Sequence, residues 1–84
     1  MDDQSILTRI EALVGEEHAL LGREQEDATD SDALAADKRR REQLSTELDS
    51  CWDLLRQRRA LREAGRDPDE AGARDASTVE RYLQ

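Results

Sequence analysis

The sequence has no phenylalanine, one tryptophan, one tyrosine, one proline, one cysteine and one histidine. Each scarcity excludes something. A lone Cys51 cannot close an internal disulfide, and with His18 as the only histidine the chain cannot assemble a structural zinc site from thiolates and imidazoles. A free thiol fits a reducing compartment, so a cytoplasmic protein is expected. No long apolar run is present, which predicts no transmembrane helix. The acidic start lacks the basic-then-apolar pattern of a signal peptide. There is no Gly-rich phosphate loop, no Ser-His-Asp set and no paired-carboxylate cleft. Among 84 residues a hairpin would offer few walls for a substrate pocket. The sequence therefore reads as non-enzymatic, with no cofactor and no metal.

Charge is what the chain has in excess. Asp, Glu, Lys and Arg make up 40% of it, and the net charge is −8. That balance disfavours nucleic acid and anionic membrane as partners. It is unevenly divided. Residues 1–32 carry ten acids and two bases, a net of −8, whereas residues 33–66 carry six acids and nine bases, a net of +3. The two halves attract each other.

The apolar residues are few but ordered at helical spacing. Ile6, Leu13 and Leu20 recur at seven, Leu7, Val14 and Leu21 recur beside them, and Ile10 fills between. This predicts a helix over about 4–25 with a wide apolar face, started by Asp2, Asp3 and Ser5. Residues 26–32 are polar and acidic and read as a turn, with Asp30 or Ser31 capping a second helix. That helix is predicted over about 32–64. Leu44, Leu48, Cys51 and Leu55 form a 4-3-4 pattern on it, widened by Trp52, Leu54 and Leu61. Gly65 and Pro68 end it. Residues 66–76 look like a loose linker. Ser77-Thr78-Val79-Glu80 has capping-box spacing, which predicts a short terminal helix. The expected division is thus a helical hairpin over 1–65, then a linker and short helix over 66–84.

A short turn makes the helices antiparallel neighbours. With the turn near residue 29, residue i faces residue 58 − i. Leu13 and Val14 then meet Leu44, Ile10 meets Leu48, and Ile6 and Leu7 meet Cys51 and Trp52. The second helix outruns the first, leaving Leu54, Leu55 and Leu61 to be covered by a second copy or by the chain's own tail. The expectation is an all-α protein, an antiparallel coiled-coil hairpin that dimerises into a four-helix assembly.

The stretch Cys51–Asp69 concentrates the candidate chemistry: the one Cys, the one Trp and five Arg. Arg56, Arg58, Arg59, Arg62 and Arg66 could grip phosphate or carboxylate. The plainer reading is that they neutralise acids, because the register sets Asp2 and Asp3 opposite Arg56, with Arg59 one turn on. Trp52 reads as a core anchor, or else as an exposed hot spot beside the arginines, since Trp and Arg are enriched in such spots. Together Trp52, Arg56, Arg59, Arg62 and Arg66 form the candidate partner surface. Cys51 reads as a buried small hydrophobe rather than a nucleophile or an intermolecular disulfide. Lys38-Arg39-Arg40-Arg41 points all round its helix and lies opposite Glu16 and Glu17, so it reads as a salt-bridged face. His18 has no ligand-type residue at helical spacing, and the Glu-x-x-His pattern of diiron bundles is absent.

Cys51-Trp52-Asp53-Leu54-Leu55-Arg56-Gln57-Arg58-Arg59-Ala60, continued by the stop from Glu63 to Asp69, resembles a family of short actinobacterial proteins of unknown function. The opening Met1–Ile6, Glu16-Glu17-His18 and the closing Tyr82-Leu83-Gln84 are similar to it as well. The resemblance implies a cytoplasmic all-helical protein and transfers no activity and no binding residue. Two functional expectations result. The first is a helical protein–protein interaction module that forms a homodimer, with room for a further protein partner. The second is a small regulator that binds nucleic acid or an acidic ligand through the Arg56–Arg66 cluster.

Overall fold

In a computed structural model, which describes residues 2–26 and 29–72, the chain forms two long helices. Helix α1 spans Asp3–Glu26 and helix α2 spans Ser31–Glu63. They pack as an antiparallel hairpin, and a 3-10 turn at Pro68–Glu70 lies against α2. The predicted terminal helix over 77–84 lies outside the described residues.

Each helix end has a local chemical cause. Asp2 caps α1, its Oδ1 accepting from the Ser5 backbone N–H at 2.8 Å. Asp30 caps α2 by accepting from the Ala33 N–H at 3.1 Å, which settles the choice between Asp30 and Ser31. At the far end of α2, Gly65 adopts φ +71°. That left-handed turn lets the Gly65 N–H donate to the Arg62 carbonyl and the Arg66 N–H to the Leu61 carbonyl, a Schellman stop.

The core is one seam. Ile6, Ile10, Leu13 and Leu20 of α1 bury against Leu44 and Cys51 of α2, with Leu48, Leu54 and Leu55 packed at the margin. Ile6, Leu13 and Leu44 are buried completely. Burial of each large aliphatic side chain contributes about 1.5–3 kcal/mol. The seam follows coiled-coil spacing along its whole length. On α1 it runs Asp3, Ile6, Ile10, Leu13, Glu17, Leu20, Glu24, and on α2 it runs Asp37, Arg41, Leu44, Leu48, Cys51, Leu55, Arg58, Arg62. Apart from Glu17 its middle is apolar, and both ends are charged. Near the turn, Arg23 Nη2 donates to Asp37 at 2.8 Å and Arg41 Nη1 donates to Glu24 at 2.9 Å.

The packing corrects three expectations. The wide apolar face of α1 divides in two. Ile6, Ile10, Leu13 and Leu20 turn inward, while Leu7, Val14 and Leu21 remain 38–42% exposed. One partner helix covers the two columns of a seam, Ile6-Leu13-Leu20 and the one that holds Ile10, and leaves a third in water. Trp52 is not a core anchor, at 45% exposed. It comes one residue after Cys51, about 100° round the helix, and so leaves the seam. Residues 66–72 are not a loose linker. The Gln57 side chain donates to the Gly72 carbonyl at 2.7 Å and accepts from the Gly72 N–H at 3.3 Å, fastening this segment to α2.

Candidate interaction surface

The open end of the hairpin gathers the arginines. Arg58 sits on the seam, seven residues after Cys51, and is 8% exposed. Its Nε donates to Asp3 Oδ1 and its Nη1 donates to Asp69 at 2.8 Å. Arg62, one turn on, donates from Nη2 and Nη1 to the two oxygens of Asp3 at 2.7 and 3.2 Å. One aspartate of α1 thus joins two arginines of α2, and Arg58 also holds the 3-10 turn. The Arg62 and Arg58 guanidinium groups keep the Asp3 carboxyl below its usual range. Asp69 and Asp3 in turn hold Arg58 protonated more firmly than usual. Asp2 is also lowered, by the Ser5 N–H it accepts from.

The sequence placed Asp2 and Asp3 opposite Arg56, with Arg59 next. The charge attraction is as expected, but Asp3 goes to Arg58 and Arg62. The seam columns decide it, since Arg58 and Arg62 continue the spacing of Cys51 and Leu55 whereas Arg56 and Arg59 flank it. Arg56 instead lies 4.0 Å from Asp53 one turn back. Arg59 pairs with Glu63 at 3.1 Å on the solvent side, and Arg66 pairs with Glu70 at 2.7 Å. The basic run on α2 also meets acids of α1. Arg40 donates to both oxygens of Glu16 at 2.8 and 3.2 Å.

Four large side chains of the hairpin are left in water: Leu7, Val14 and Leu21 on α1, and Trp52 on α2. An open cleft of about 430 Å³ lies between α2 and the 3-10 turn, lined by Gln57, Ala60, Leu61, Ala64, Arg66 and Glu70. Cys51 lies one residue from Trp52 but is buried, and burial pushes its thiol up, away from a reactive thiolate. His18 is exposed. Among the described residues no three His, Cys, Asp or Glu side chains are grouped so as to hold a metal ion. No described helix is long and apolar enough to cross a membrane.

Over residues 2–84 the sequence matches the model of a family described as a protein of unknown function, DUF2630. The chain belongs to the DUF2630 family. Uncharacterised proteins of Mycobacterium tuberculosis and Mycobacterium bovis are similar to it, each 45% identical over 80 residues. The aligned region covers 95% of this chain and 88% of each relative. No solved structure matches. Within this DUF2630 chain, sequence reasoning did not single out Asp53, Gln57 and Asp69. Asp53 is buried and accepts from Gln57 at 2.8 Å, so it orients the amide that grips Gly72. The i, i+4 spacing of Asp53 and Gln57 was the available signal.

Proposed function

We propose that this DUF2630 protein is a small, non-enzymatic helical interaction module that works as a homodimer, two hairpins closing into an antiparallel four-helix assembly. One observation carries this reading: a two-helix hairpin that already has a seam leaves a second apolar column, Leu7, Val14 and Leu21, and its one tryptophan in water. Scattered surface leucines need no explanation, but three apolar residues at seven-residue spacing beside an exposed Trp form a patch of the kind that marks interaction sites. Trp52, with Arg56, Arg59, Arg62 and Arg66 following it toward the end of α2 and just beyond, forms the adjoining surface on which a further protein partner would dock. The free thiol of Cys51 supports a reducing, cytoplasmic setting.

The arginine pairings weaken the anion-binding alternative. Arg58 and Arg62 are engaged by Asp3, Arg59 by Glu63 and Arg66 by Glu70, so a nucleic-acid phosphate would compete with carboxylates already in place. Light scattering on the full chain from about 1 to about 100 μM tests the reading, over the usual range of transient to stable association. The dimer mass should appear within it, and association should persist in added salt. A monomer throughout refutes the module as a dimer. Binding to DNA or RNA that collapses with salt would favour the regulator.

A further inference from the structure

The two flanks of the hairpin differ. One carries the cross-helix pairs Arg9–Glu47 at 2.6 Å and Arg40–Glu16 at 2.8 Å. Leu7 and Val14 each sit two residues before Arg9 and Glu16, about 160° round α1. Trp52 and Ser45 each sit five residues after Glu47 and Arg40, about 140° round α2. The exposed residues of both helices therefore share the flank opposite the ion pairs. They also keep step along it. Leu7 lies within one turn of the level of Trp52, Val14 of Ser45, and Leu21 of Lys38, because both rows repeat every seven residues in opposite directions.

We propose that a second copy of the chain occupies this flank, with the two-fold axis parallel to the hairpin. Each α1 then lies on the α2 of the other copy, and both turns fall at the same end. This rests on the dimeric reading above and specifies its geometry. Charge selects the arrangement. Helix α1 carries six acids and two bases, a net of −4, and α2 carries seven acids and eight bases, a net of +1. Laying α1 on α1 would oppose two strongly acidic helices, whereas laying α1 on α2 pairs opposite signs.

The side chains agree with the charge. In the same-end arrangement Leu7 of each copy seats against Trp52 of the other, giving an apolar layer of two Leu and two Trp. Val14 meets the small Ser45, and Leu21 meets the aliphatic stem of Lys38, whose ammonium reaches water. In the opposite-end arrangement Trp52 would face Lys38 instead, and its ring would lose the leucine. The footprint suffices. The chain measures 54 × 24 × 16 Å, so its broad side can supply the roughly 800 Å² per partner of a stable interface.

The test places one spin label on the exposed Thr29 of the full chain, as Thr29→Cys with Cys51→Ala, and measures the label-to-label distance at a concentration where the protein is dimeric. The same-end dimer predicts a separation of about two interhelical spacings, roughly 20 Å. A separation near the 54 Å length of the chain overturns the geometry while leaving a dimer standing. Leu7→Glu in the native Cys51 background is the second arm. It should weaken the dimer roughly ten- to a hundredfold and abolish the concentration-dependent blue shift of Trp52 emission, with helicity unchanged. A dimer indifferent to Leu7→Glu overturns the Leu7–Trp52 contact. A protein that stays monomeric in both arms overturns this geometry and the proposed function together.

Discussion

Arg58 donates to Asp3 across 55 residues of sequence, and this contact closes the hairpin at the end farthest from its turn. The turn fixes one end of the helix pair covalently. The other end has no covalent link, and the apolar seam stops at Ile6 on α1 and at Leu55, one step past Cys51, on α2. Beyond that level the seam positions are Asp3, Arg58 and Arg62. A guanidinium buried on a seam is destabilising unless its donors are used, and Arg58 uses them on carboxylates from two different segments.

Arg58→Ala should therefore lower the thermal midpoint more than Arg59→Ala, although both remove one charge from neighbouring positions. Arg59 makes an exposed i, i+4 pair with Glu63, and such pairs add little. Arg58→Ala leaves Asp3 with Arg62 alone and removes the Asp69 contact of the 3-10 turn, so amide exchange should rise both in the first turn of α1 and across Pro68–Glu70. Thermal melts of the two variants, with hydrogen exchange on the first, check this. Equal losses would mean that Arg58 is no more than a surface charge.

Acid should open the same end first. The folded state holds Asp3 and Asp2 below the ordinary aspartate value of 3.8, so in the unfolded chain they take up protons more readily than in the folded one. Their contribution is complete above about pH 3.8 and is lost as pH falls through the lowered folded values. Asp3→Asn should flatten that part of the stability profile, and salt should weaken it, because Asp3 is partly solvated. Urea melts between about pH 5 and 2.5 measure it. A profile unchanged by Asp3→Asn would show that other carboxylates carry the acid response.

The middle of the seam was legible because it is apolar. Leu44, Leu48, Cys51 and Leu55 announce themselves by spacing, and the caps Asp2 and Asp30 by residue type. The seam's ends were not legible, because Asp37, Arg41, Arg58 and Arg62 keep the spacing while breaking the hydropathy that normally reveals it. The columns Ile6–Leu13–Leu20 and Leu7–Val14–Leu21 are equivalent to a periodicity argument. Only the position of a single partner helix separates the buried one from the exposed one. Trp52 misled by size, since a large apolar side chain invites burial while its place one residue past Cys51 denies it. The 3-10 turn is held by Gln57 and Arg58 through bonds to a backbone and a carboxylate, which hydropathy does not register.

The turn end of the seam should tolerate more apolar character. Asp37 is 3% exposed, and its Oδ2 is buried without a hydrogen-bond partner. Its one cross-helix donor, Arg23, is largely in water and loses little if released. Position 37 is also seven residues before Leu44 and fourteen before Cys51. Asp37→Leu should therefore extend the apolar seam by one layer and stabilise the hairpin by about 1–2 kcal/mol. Chemical denaturation reads this out. A loss of stability would show that the Arg23–Asp37 bond fixes the register, which burial and desolvation alone do not require.

Two glycines interrupt the interior of α1. Gly15 and Gly22 lie seven residues apart, and a Cβ built on either would meet no atom within 4 Å. Neither has a positive φ, so neither is required by backbone geometry. Glycine in a helix interior is less favourable than alanine by about 0.5–1 kcal/mol, through the backbone freedom it loses on folding. Gly15→Ala and Gly22→Ala should each recover that amount, and nearly additively, since no side chain links the two sites. Neither glycine faces α2, and in the proposed same-end dimer they would lie at the edge of the interface. Stability measured at low concentration should therefore rise while the dimer dissociation constant stays within about threefold of the native value. If the alanines instead weaken the dimer by about tenfold or more, the glycine side of α1 is the face that the second copy approaches, and the two-fold axis lies elsewhere on the hairpin.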